Sequence, residues 1–173
     1  MRENNKESLT QKVVLAGKYG FWYKDLKNLF EKENWDFFLL DKSYPEPREL
    51  FRIQNINVLL YAVDFRQDLI HGTDANKKLL DFLRLAQENH VERVYLLSTV
   101  EAIAVGDKII NQMAHIAENI LLDWSSSAGI AATVIRLPEI YGLGADSCDG
   151  WVARWMNALY DGAVTYDIPA GEG

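Results

Sequence analysis

The chain is poor in the residues that would commit it to covalent or metal staples. Its one cysteine, Cys148, excludes an internal disulfide framework and fits a reducing compartment. The three histidines, His71, His90 and His115, stand at no metal-ligand spacing, so no metal site is expected. No apolar run approaches the roughly 20 residues that span a bilayer. The stretch from Arg2 to Lys12 is polar and lacks the apolar core of a signal peptide, so the expected location is the cytoplasm. Basic side chains are outnumbered, 18 Lys and Arg against 25 Asp and Glu, and a net charge of −7 argues against general nucleic-acid binding. Repeats, linkers and low-complexity segments are also absent.

What is present is a globular composition, 49% hydrophobic and 25% charged, over 173 residues. This suits one domain over residues 12–173 behind a solvated tail at 1–11. Short apolar runs predict strands at Lys12–Ala16, Phe37–Leu40, Asn57–Val63, Arg93–Leu97 and Ala131–Ile135. Helical spacing fills the gaps. Gly20 to about Glu33 carries Trp22, Leu26, Leu29 and Phe30, and Pro47 opens a short helix to about Gln54. Asp74 to His90 carries Leu79, Leu80, Leu83 and Ala86 at core spacing. Lys108 to Ser126 carries an apolar stripe of Ile109, Met113, Ile116, Ile120 and Leu121, read as primarily core. Residues 136–144 read as a loop, 151–161 as a last helix and 163–168 as a final strand. Trp151 and Trp155 share a face of that last helix, which either packs on the sheet or meets a partner.

Buried strands alternating with helices predict an α/β fold, a doubly wound parallel sheet in a three-layer αβα arrangement. Ligands in such sheets bind beyond the carboxyl ends of the strands. The first of these ends carries Gly17-Lys18-Tyr19-Gly20-Phe21-Trp22-Tyr23, in the place of the Rossmann-like G-x-x-G-x-x-G loop. Gly17 permits the tight turn and Gly20 the approach of a pyrophosphate to the backbone and the helix start. Tyr23 replaces the glycine that lets helix and strand pack closely, which requires the helix to move outward or the ring to turn aside. Asp41 ends the second strand about 20 residues on, where an acid holds a ribose diol. That favours NAD over NADP, although Lys42 beside it weakens the discrimination. The expected cofactor-binding residues are Gly17, Gly20, Phe21, Trp22, Asp41, Ala62, Val63, Ser98 and Pro138.

Several segments, in order, resemble the extended short-chain dehydrogenase/reductase family, the NAD-dependent epimerase/dehydratases of nucleotide sugars. Val13–Phe21 resembles that family's V-T-G-A-T-G-F, and Asn57–Ala62 its D-V-V-I-H-L-A-A strand. Leu79-Leu80-Asp81 and Val91–Thr99 resemble N-L-L-E-A-A and G-V-K-R-F-V-Y-I-S-S. Arg136–Gly144 resembles R-P-P-N-V-Y-G-P-G, and Gly171-Glu172-Gly173 its late G-D-G.

The resemblance implies an NAD(P)-binding fold, a nucleotide-sugar substrate and a Y-x-x-x-K pair on the helix after the fourth strand, whose lysine lowers the pKa of the proton-exchanging tyrosine. Aligning Glu118 with the family's acid on that helix places Ile110 at the tyrosine and Ala114 at the lysine, and neither moves a proton. The family's serine or threonine falls near Val100, with Ser98 and Thr99 adjacent. The chain's only Tyr-x-x-x-Lys, Tyr23 to Lys27, lies on the first helix and reads as coincidence. His115 and Lys108 are weak substitutes, so no catalytic residue is assigned.

The resemblance further implies a second, sugar-covering lobe, expected to be absent because the sequence stops at Gly173, and a homodimer through helices 74–90 and 108–126. Three readings follow. The chain is a catalytically impaired dinucleotide- or partner-binding module, an active epimerase/dehydratase with displaced catalytic groups, or a ligand-free dimeric scaffold.

Overall fold

A computed structural model of the chain describes residues 10–17, 22–40, 47–63, 74–100 and 109–138. Five strands and four helices alternate in it: β1 Lys12–Gly17, α1 Tyr23–Lys32, β2 Asp36–Leu39, α2 Pro47–Gln54, β3 Val58–Ala62, α3 Ala75–Glu88, β4 Arg93–Thr99, α4 Ile109–Ala128 and β5 Ala131–Leu137. All strand pairs are parallel and the sheet order is β2-β1-β3-β4-β5. The expected fold class is therefore observed.

The burial pattern explains why these short runs become strands. Val13 to Ala16 are fully buried and every residue of β3 is buried, as a parallel sheet covered on both faces requires. Alternate side chains feed two cores. Val14, Ala16, Leu59, Tyr61, Val94 and Leu96 meet α2, α3 and α4. Val13, Leu15, Val58, Leu60, Ala62 and Leu97 meet Trp22, Tyr23, Leu26 and Phe30 from the start and body of α1. The step from β1 to β2 runs opposite to every later step. Crossovers of one hand therefore put α1 alone on its face among the described helices.

The helices end in one way. Asn34, Asn55 and His90 follow α1, α2 and α3 with φ of 58°, 52° and 55°, and Gly129 follows α4 with φ 69°. A left-handed residue at this position closes the last turn. At the opposite end of α3, Asp74 accepts a hydrogen bond from the Lys77 amide at 3.0 Å, satisfying one of the free donors of the first turn.

Four expectations are corrected. Leu29 is exposed, because Trp22, Tyr23, Leu26 and Phe30 centre the buried stripe of α1 and Leu29 lies on its flank. Leu80 is exposed for the same reason, about 100° around α3 from Leu79. On α4 the core face is Asn111, Ala114, Ala117, Glu118 and Leu121, and Ile109 (59% exposed) and Ile116 (48%) point away from it. Met113 and Ile120 pack at its edge. Finally, β5 continues through Arg136 and Leu137, which pair in register with Ser98 and Thr99, so the expected loop starts two residues later. Residues 1–9 of the expected tail, the helix at 151–161, the strand at 163–168 and any second lobe lie outside the described residues.

Candidate functional site at the carboxyl ends of the strands

The chain leaves β1 toward β2 at one edge and returns to β3 on the other side of β1. The switch point thus falls between β1 and β3, where Gly17 and Ala62 are register partners. Gly17 has φ +87°, and a Cβ there would stand 2.0 Å from the Ala62 carbonyl oxygen. Only glycine tolerates both conditions. Val63 continues from Ala62 and its amide donates to the Leu97 carbonyl at 3.4 Å. Of the expected contact residues, Gly17, Ala62, Val63, Ser98 and Pro138 are thereby set along one edge of the sheet. Gly20, Phe21 and Asp41 lie outside the described residues.

Trp22 directly precedes α1 and gives it no side-chain cap. The rings of Trp22 and Tyr23 are half-buried against the α1-side core. Tyr23 therefore serves as packing where the glycine motif would allow close approach. Lys27, four residues on, pairs with Glu31 on the exposed side of α1 at 3.7 Å.

The β4–β5 end is polar where the rest of its interface with α4 is apolar. Along the α4 side, Val94 and Leu96 give way to Ser98, and Ala132 and Val134 to Arg136. Glu118 descends on them from α4. Its carboxylate accepts from Arg136 Nε at 3.0 and 3.3 Å and from Nη2 at 2.7 Å. Burial pushes the Glu118 carboxyl up. Hydrogen bonds and charge from Arg136, helped by nearby Ser98 and by the charge of His115, outweigh burial and hold it below the usual carboxylate range. The Ser98 hydroxyl is buried and makes no hydrogen bond among the described residues.

The two positions matched to a tyrosine–lysine pair are part of the packing. Ala114 is fully buried and Ile110 is half-buried against the same core. His115 and Val100 are exposed. Among the described residues no three His, Cys, Asp or Glu side chains are grouped to hold a metal, and no helix is long and apolar enough to cross a membrane. Lys108, His71 and Cys148 lie outside the described residues. The sequence singled out Glu118 and Arg136 separately but not their pairing, which only the register of β5 under α4 reveals.

No protein-family model and no curated protein sequence matches the chain. Solved structures do. The chain is similar to UDP-glucose 4-epimerase from Thermotoga maritima with UDP-glucose, with a TM-score of 0.76 at 14% identity over 94% of this chain and 67% of that one. It is similar to a GDP-L-fucose synthetase from Naegleria fowleri, with a TM-score of 0.69 at 10% identity over 88% and 58%. It is also similar to UDP-glucose 4-epimerase from Brucella ovis in complex with NAD, with a TM-score of 0.61 at 13% identity over 82% and 56%. The likeness is one of fold, and the chain spans between about half and two thirds of these proteins' length.

Proposed function

We propose that this chain binds a nicotinamide dinucleotide across the carboxyl ends of β1, β3 and β4, and acts as a binding module. The observation that carries the reading is the switch point. A glycine held at φ +87° against Ala62 stands at the end of β1, and Trp22, at the start of α1, gives that helix no side-chain cap. The Ser98 hydroxyl, buried at the end of β4 with no hydrogen bond among the described residues, is a polar group on the same edge. Gly17, Ala62, Val63 and Ser98 would hold the ligand, with Gly20 and Asp41 expected beside them. A bound nicotinamide would supply a hydride acceptor. The fold neighbours include a structure in complex with NAD, which supports the ligand class.

Action as a module, and not as an epimerase or dehydratase, is supported by Ile110 and Ala114. Ala114 is buried in the core and Ile110 packs half-buried against it, and neither can exchange a proton. Isothermal titration with NAD⁺ and NADP⁺ tests the reading. Saturable uptake of either is expected, tighter for NAD⁺ if Asp41 meets a ribose diol. No heat with either ligand would leave the ligand-free scaffold. Turnover of UDP-glucose or a GDP-sugar in the presence of NAD⁺ would restore the enzyme reading.

A homodimer through α3 and α4 is a second reading, favoured by one observation. Leu80, Ile109, Ile116 and Leu122, most of the large apolar side chains exposed among the described residues, lie on these two adjacent helices. Sedimentation velocity at several concentrations tests it, and a dimer is the expected species.

A further inference from the structure

The bond between Glu118 and Arg136 ties α4 to β5 at the carboxyl end of the sheet. Elsewhere α4 meets β4 and β5 through Ala114, Ala117 and Leu121, whose contacts are non-directional. The bidentate pair is directional, because a planar guanidinium and a carboxylate fit in few geometries. The Glu118 side chain is only 4% exposed and Arg136 39%, so the anchor is inside and the fork reaches outward. Arg136 is the register partner of Ser98, and two residues later the chain leaves β5 at Pro138, whose ring restricts the exit direction.

The carboxylate is not placed to serve as a base. Both its oxygens are taken by the guanidinium, and it is shielded from solvent. Its position lets it act on other groups instead. An acid after β2 meets the adenosine ribose in this fold, so a dinucleotide laid across the switch point sends its other half over β4 and β5. We propose that Glu118 and Arg136 are positioning residues for that half of the crevice. They fix Ser98 and the exit of β5 where the ligand's nicotinamide end arrives. The inference rests on the dinucleotide reading above.

The test compares NAD⁺ with ADP, which lacks the nicotinamide half, on the whole chain and on Glu118→Gln and Arg136→Lys, with folding followed by circular dichroism. NAD⁺ affinity is expected to fall at least about fivefold in both variants while ADP affinity stays within about twofold. Equal losses for both ligands, or unchanged NAD⁺ affinity in a folded variant, would overturn the inference. Arg136→Lys keeps the charge on a half-exposed side chain and carries the test if Glu118→Gln does not fold. A wild-type chain that takes up neither ligand removes the dinucleotide reading, and this inference with it. One that binds both, with variants that behave like it, removes the inference alone.

Discussion

Gly17 is where backbone conformation and packing coincide. Its φ of +87° disfavours any side chain, and its neighbour across the sheet leaves no volume for one. Gly17→Ala is expected to cost at least about 2 kcal/mol in urea unfolding, because strain and overlap add. His90 presents the mild form of the same problem. It closes α3 at φ 55° and is exposed, so His90→Gly is expected to raise stability by about 0.5–1 kcal/mol, read as a higher urea midpoint with an unchanged slope.

Glu118 gives a prediction in pH. Its folded carboxyl is held below its unfolded value, so the pair adds stability above the unfolded pKa and loses it as pH falls through the folded one. The stability gap between wild type and Glu118→Gln is therefore expected to be full at neutral pH and to close below about pH 4, measured by urea titrations across that range. A gap that is the same at both ends would show that the carboxylate's charge plays no part.

Among the elements, α4 shows how a helix can mislead when its most hydrophobic stripe is not its buried one. Ile109 and Ile116 lie far around the helix from Ala114, Ala117 and Leu121, which the sheet accepts because they are small or fit beside Leu96. A charged residue, Glu118, shares the buried face only because Arg136 reaches it from β5. Introducing the missing pair by Ile110→Tyr with Ala114→Lys therefore places an ammonium in a fully buried position. The double variant is expected to lose about 3 kcal/mol or more and to gain no turnover with nucleotide sugars, checked by unfolding and by product analysis.

Strand positions were legible in the sequence, because a parallel sheet buries continuous apolar runs such as Val13–Ala16 in β1 and the whole of β3. Helix faces were less legible. Leu29 and Leu80 are as apolar as their buried neighbours, and only the position of the sheet separates them. In the site, Gly17, Ala62 and Ser98 were legible from their places at strand ends. The Glu118–Arg136 bond was not, since it joins residues 18 apart through tertiary register. The left-handed Asn34 and Asn55 carried a recognisable signal, asparagine after a helix; His90 carried none.

At the scale of the molecule, the exposed apolar side chains of α3 and α4 set up a test of assembly. Ile109→Lys with Ile116→Lys is expected to shift a sedimenting dimer to monomer while the chain stays folded by circular dichroism, since both side chains are exposed in one chain. A wild-type chain that sediments as a monomer at about 0.1 mM contradicts the dimer reading. The sheet order places the switch point between β1 and β3, at the carboxyl edge of the sheet.

Hydrogen–deuterium exchange with and without NAD⁺ interrogates that edge most directly. The account predicts slowed exchange at the start of α1, at Val63 and at Ser98 and Thr99, with the far ends of the strands unchanged. Saturating NAD⁺ that leaves these amides unprotected, or that protects a different surface, would contradict it.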